Sequence, residues 1–312
     1  MYVVKYVLCF IAVVFIPAVS SAKPALDSRR TVELKSICGM QHPDDYPHDI
    51  VGTAALITEF PWLARIRYKT EGDDYEESYC NGALISPRHV LTAAHCNFND
   101  SIITSVRLGE YHIHNKTDCV HYRDINAKEC SDYKDFEVES ITTHPDYDGQ
   151  PDGINNVAVI ELKKDVTKYN DYIRAICLPN AKVVRPKVNE NLAVTGWGWQ
   201  ISSTTYDVLE VKQSLNIKIE SEETCNKKEN PADERKTLQK NQLCGSRIAT
   251  ASDVCIYEDG GPVMFSYKHR WFVEGIALSH DKNCIGTSPP LIYLKIADYV
   301  DWIYKTMGIT IE

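Results

Sequence analysis

Eleven cysteines stand among the 312 residues of this chain, and their odd number constrains it more than any other feature. If all of them belonged to one oxidised mature protein, a thiol would be left over. The N-terminus resolves the parity. Residues 1–22 open with a single Lys5, run apolar from Tyr6 to Val19 and end Ser20-Ser21-Ala22, the pattern of a secretory signal peptide. The apolar run of about 14 residues falls short of the roughly 20 that span a bilayer, so no membrane anchor is expected here. Cys9 departs with this segment. Ten cysteines then face an oxidising extracellular compartment, where five disulfides are the expected outcome.

The remaining composition is that of a folded soluble protein, since 44% hydrophobic and 25% charged residues supply a sizeable core and exclude a disordered tail. With 34 basic against 43 acidic residues the net charge is −9, which argues against a nucleic-acid partner held by phosphate neutralisation. Two sequons, at Asn99 and Asn115, lie in polar stretches and mark expected glycosylation sites of a secreted chain. Residues 23–49 are polar and aperiodic, hold one cysteine, Cys38, and read as a leader too short to be a domain.

The domain proper occupies residues 50–312. Stretches rich in β-branched and aromatic residues recur there between turn signals, at 62–68, 80–85, 106–111, 136–142, 157–162, 192–197, 215–220, 263–267, 271–278 and 291–296. That spacing predicts an all-β fold. A single long helix is expected last, over 297–308, where Val300, Trp302, Ile303 and Met307 share a face, with a further helical turn over 221–227.

Four stretches then carry a resemblance, in order along the domain: Leu91-Thr92-Ala93-Ala94-His95-Cys96, Asn155-Asn156-Val157-Ala158-Val159, Thr195-Gly196-Trp197-Gly198 and Cys255-Ile256-Tyr257-Glu258-Asp259-Gly260-Gly261-Pro262. Together they resemble the chymotrypsin/trypsin-like serine proteases, as a non-catalytic homologue of the arthropod clip-protease type. The resemblance implies two six-stranded antiparallel β-barrels and a C-terminal α-helix. It also implies a pairing of the ten cysteines: Cys38–Cys177 tethering the leader, Cys80–Cys96, Cys119–Cys130, Cys225–Cys244 and Cys255–Cys284. Most immune regulators of this type carry a disulfide-rich clip domain upstream, and a leader with Cys38 alone has too few cysteines to form one.

In such enzymes a serine oxygen attacks the scissile carbonyl, a histidine takes its proton, and a buried aspartate holds the histidine's tautomer and stabilises its cation. The matching positions here read His95, Asn156 and Asp259. An amide in place of the orienting acid favours the wrong tautomer, and a carboxylate in place of serine offers no hydroxyl to activate. His95 and Asp259 are instead expected to form an ion pair within about 4 Å. Tyr257 stands where the family uses a glycine for the oxyanion hole. Asp253 matches the acidic floor of a trypsin-like pocket, whereas His280 and Leu291 replace wall glycines and are expected to fill it. Ile50-Val51-Gly52 resembles an activation terminus, with Glu258 as its acidic partner, but Asp49 offers a trypsin-like activator no basic residue, so the leader is expected to stay attached.

The expected function is therefore that of a secreted, catalytically inactive serine protease homologue: a binding cofactor, decoy or regulator in an extracellular protease cascade such as melanisation. Its expected partners are extracellular proteins, namely proteases or their zymogen substrates. Two alternatives stay open, an active secreted endopeptidase with a divergent site and a pseudoprotease of venom or seminal fluid. No cofactor is expected; Glu110 and the acidic loop to Asp135 leave calcium as a candidate, while His112 and His114 lack zinc-ligand spacing and read as surface residues.

Overall fold

The computed structural model describes residues 37–42, 53–70, 72, 76–98, 100–122, 126–201, 206–227, 237–248, 254–257, 259–278 and 290–309. In the first half, β1 (Leu63–Thr70), β2 (Asn81–Ser86), β3 (His89–Thr92) and β4 (Ser101–Leu108) are followed by β5 (Thr117–Tyr122) and β6 (Ala127–Asp132), then by β7 (Lys134–Thr143) and β8 (Ala158–Leu162). Six of these close an antiparallel barrel in the order β1-β2-β3-β8-β7-β4, leaving β5 and β6 as a separate two-stranded hairpin. Period-2 alternation explains the inward faces. In β1, Ala64, Ile66 and Tyr68 are buried at 0–1% exposure while Arg65 and Arg67 lean outward.

The second half holds β9 (Asn191–Ile201), β10 (Tyr206–Ile219), β11 (Gln242–Arg247), β12 (Val254–Tyr257), β13 (Pro262–Tyr267), β14 (Arg270–Ala277) and β15 (Leu291–Lys295). The order β10-β11-β15-β14-β13-β9 closes through direct pairing of β9 with β10, so six strands make the second barrel and β12 is added on the flank of β9. The two six-stranded barrels expected from the sequence are present. The first barrel's apolar core, with Leu84, Val106 and Ile160, runs on across the seam to Met264 and Leu294, and a second core holds Val194, Ile217 and Val263. Across the seam, buried Trp62 donates its indole N–H to the sulfur of Met264 (2.9 Å), and Ala54 pairs with Gln213.

Several elements differ from the expectation. The hairpin β5–β6 and strands β3, β11 and β12 are absent from the predicted set, because their sequences are short or polar and show little alternation. The final helix is shorter than 297–308: a 3-10 turn (Ile296–Asp298) precedes a helix at Val300–Thr306, after which Gly308 at φ +72° ends the run. Ile303 and Met307 are buried as expected, with Val300 and Trp302 half-buried beside them. The turn at 221–227 is a helix over Glu222–Asn226, capped by the Ser221 hydroxyl, which accepts from Thr224 N at 3.1 Å.

Four of the expected disulfides are formed: Cys38–Cys177, Cys80–Cys96, Cys119–Cys130 and Cys225–Cys244. Cys255 is also disulfide-bonded, and its expected partner Cys284 lies outside the described residues. At the tether, Gly39 N donates to Ala175 O (2.7 Å) and Trp271 N to Gly39 O (2.9 Å). A Cβ on Gly39 would fall 2.3 Å from Trp271 O, so only glycine lets the leader approach β14 this closely.

Candidate active site

His95 lies in the 3-10 turn Ala94–Cys96 that leaves β3. The Cys80–Cys96 bridge anchors the turn, and the buried Tyr68 hydroxyl donates to Cys96 O at 2.8 Å. Burial, and after it the charge of Asp259, pushes that phenol well above its ordinary range, so it stays a donor. Asn156 sits fully buried just before β8. Its aim is set by Asn155, whose φ of +57° suits asparagine and whose side chain accepts from Tyr299 Oη (2.9 Å) and donates to Asp146 O (2.9 Å).

The Asn156 amide fixes the histidine. Oδ1 accepts from the backbone N–H of His95 (2.9 Å), and Nδ2 donates to Pro151 O (2.5 Å) while lying 2.9 Å from His95 Nδ1. A backbone N–H can only donate and a carbonyl can only accept, so these two partners decide which end of the amide carries the hydrogens. The amide N–H therefore faces Nδ1, which must accept. In the neutral ring the proton is then on Nε2.

On that side of the ring stands Asp259, with Oδ2 3.9 Å from Nε2. The expected pair lies inside its 4 Å bound, as an electrostatic contact longer than a hydrogen bond. The two side chains keep only 10% and 17% exposure, so the contact is largely shielded from solvent. The turn holding Asp259 keeps a tight backbone: Asn81 N donates to Asp259 O (2.8 Å), Gly260 N to Ala277 O (2.9 Å) and Ala277 N to Gly261 O (3.0 Å). Gly260 has φ +73°, and a Cβ there would lie 2.3 Å from Thr92 Oγ1 and 2.6 Å from Asn81 O. Gly198 lets β12 cross β9, since its Cβ would overlap Cys255 O at 1.8 Å.

Tyr257 ends β12 with its backbone opposite Trp197. Leu291 is buried at 6% exposure within the second core. Asp253, Glu258, His280, Ile50 and Asn99 lie outside the described residues, whereas Asn115 is exposed in the loop before β5. Glu110, the candidate calcium ligand, is buried and accepts from Arg107 Nη1 (3.1 Å) and Tyr111 N (3.0 Å). Arg107 also forks onto Asp135 (2.7 and 2.9 Å) and stacks 3.4 Å over the Tyr133 ring. Burial raises the Glu110 carboxyl above its usual range against the pull of Arg107. His112 and His114 both meet Glu210, at 3.2 and 3.4 Å. Donor atoms of Cys80, His95 and Cys96 converge within 4.8 Å, but the two sulfurs are joined to each other and offer no thiolate.

Sequence reasoning missed Pro151, whose carbonyl decides the amide orientation, and Arg107, whose charge fills the acidic loop. Pro151 acts through its backbone carbonyl, which residue identity does not reveal, and the Arg107 fork reaches Asp135 on another strand.

Two six-stranded barrels with a histidine turn and a glycine-backed turn meeting at their seam define the architecture of the trypsin-like serine proteases. A family model described as Trypsin matches residues 49–303, and the chain belongs to that family. Phenoloxidase-activating factor 1 of Holotrichia diomphalia is 32% identical over 89% of this chain and 74% of its own length. Phenoloxidase-activating factor 3 of the same species is 33% identical over 87% and 75%. Melanization protease 1 of Drosophila melanogaster is 30% identical over 81% of this chain and 64% of its own. Among solved structures, the Grass clip serine protease of Drosophila shares the fold at TM-score 0.71 and 24% identity, over 90% of this chain and 78% of that one. Among the described residues no helix is long and apolar enough to cross a membrane.

Proposed function

We propose that this chain is a secreted pseudoprotease that binds extracellular proteases or their zymogens and modulates a melanisation-type cascade without cleaving peptides. The observation that carries this reading is the Asn156–His95–Asp259 geometry. Asn156 makes Nδ1 an acceptor, the ring proton lies on Nε2, and a carboxylate rather than a hydroxyl faces it at 3.9 Å. A histidine protonated on Nε2 cannot take a proton from a nucleophile, and the side chain at position 259 has no hydroxyl to give one. The relatives named as phenoloxidase-activating factors and as a melanization protease support the choice of cascade.

Secretion follows from the N-terminal segment, and Asn115 is the described sequon open to glycan addition. The acidic loop needs no calcium in this reading, because Arg107 supplies the cation that Glu110 and Asp135 require. The test is an add-back experiment. Fluid depleted of the protein is assayed for zymogen activation after restoring the native chain or a His95→Ala variant. Equal restoration by both supports a binding role, whereas restoration by the native chain alone points to catalysis.

A further inference from the structure

The Cys119–Cys130 bridge differs from the others in its place. Cys80, Cys96, Cys177, Cys244 and Cys255 keep no more than 3% exposure, so every other bond with a described cysteine has at least one end in the core. Cys119 and Cys130 are both exposed. They stand directly opposite each other on β5 and β6, with Thr117 and Asp132 paired on one side and His121 and Lys128 on the other. These three pairs share the outward face of the hairpin, while Asp118 and Ser131 point inward and are buried. The hairpin belongs to neither barrel, so opening this bond breaks no barrel ladder.

We propose that Cys119–Cys130 is an exchangeable disulfide, the site at which an extracellular protein dithiol acts on this chain. A thiolate of the dithiol attacks one sulfur, forming a mixed disulfide and releasing the other cysteine as a thiolate that then takes up a proton. The second thiol of the reductant attacks the mixed disulfide and frees the remaining cysteine. Two electrons and two protons pass to the chain, and the reductant leaves as its own disulfide. The Lys128 ammonium, in the next cross-strand pair on the same face, stabilises the departing thiolate.

The consequence is local. Asp118, next to Cys119, accepts from His112 N (3.1 Å), and the turn carrying His112 is held on β10 by Ile113 N donating to Glu210 O (3.0 Å). Reduction therefore loosens this clasp between the first barrel's loop and the second barrel while both cores persist. None of this depends on whether the seam is catalytic.

The mature protein is treated natively with limiting thioredoxin-class dithiol, then alkylated and mapped by peptide mass. Cys119 and Cys130 are expected to label at least ten-fold faster than every other cysteine, with faster hydrogen exchange at His112 and Ile113 and unchanged protection in the barrel strands. Earlier labelling of another pair, or labelling only with global unfolding, overturns the proposal. A C119S/C130S variant is expected to fold and to lack the fast phase, and its failure to fold would overturn the proposal by marking the bridge as structural. Lys128→Glu is expected to slow reduction several-fold at an unchanged Tm; an unchanged rate would overturn the role given to Lys128.

Discussion

Asn156 is the residue on which the site turns. Its two backbone partners hold the amide in one orientation, so restoring a serine at position 259 leaves the base nitrogen protonated. Asp259→Ser alone is therefore expected to show no peptide turnover. The double variant D259S/N156D is the one expected to gain reactivity, since an aspartate would turn the ring over; loss of the orienting acid in a sister enzyme costs about 10⁴-fold. Comparable reactivity in the single variant would show that the amide does not fix the tautomer. The residue identities were legible in the sequence, because the motifs around His95 and Asp259 are local. The lock itself was not, as it needs Pro151 O brought beside the amide by the loop before β8. Gly260 makes a second prediction at this scale. Gly260→Ala forces a Cβ into Thr92 and Asn81 at a positive φ, so the turn must shift, at a cost of about 2–4 kcal/mol. Thermal melting checks it, and an unchanged Tm would mean that the turn tolerates a side chain.

Among the elements, the acidic loop between β4 and β7 is organised by an internal cation. Arg107 keeps 9% side-chain exposure and satisfies Glu110 and Asp135, with buried Asp118 nearby. Arg107→Ala leaves those carboxylates facing one another, which is expected to cost about 3 kcal/mol. At about 2–4 °C per kcal/mol, the Tm falls by roughly 6–12 °C. Millimolar calcium is expected to recover part of that loss in the variant and to leave the native melt unmoved. A native protein stabilised by calcium would show an ion site that the guanidinium does not replace. This loop also marks where the sequence was least readable. Its strands β5 and β6 are polar, and their faces are set by the cross-strand register, with Asp118 and Ser131 turned inward and Cys119 opposite Cys130 outward. By contrast β1, β8 and β14 were legible, since apolar β-branched residues recur at period 2 or in short buried runs.

For the whole molecule, the four short motifs, with a cysteine set that fits the same resemblance, pointed to two barrels, and the Cys38–Cys177 disulfide ties the leader to them. The flanking strand β12 was not visible in the sequence, because its pairing with β9 joins segments far apart in the chain. The Cys38–Cys177 bridge would keep a cleaved leader attached, so its integrity must be read after reduction. With Asp49 before Ile50, the reduced mature protein is expected to run as one chain starting near residue 23. A fragment beginning at Ile50 would show that activation cleavage occurs.

We infer that acyl transfer is lost at the seam, and covalent labelling reads this out. The native mature protein is incubated with an active-site phosphonate probe and its intact mass recorded beside that of D259S/N156D. No adduct on the native chain is predicted, against a single adduct on the introduced serine of the variant. A stoichiometric adduct on the native protein would contradict the claim.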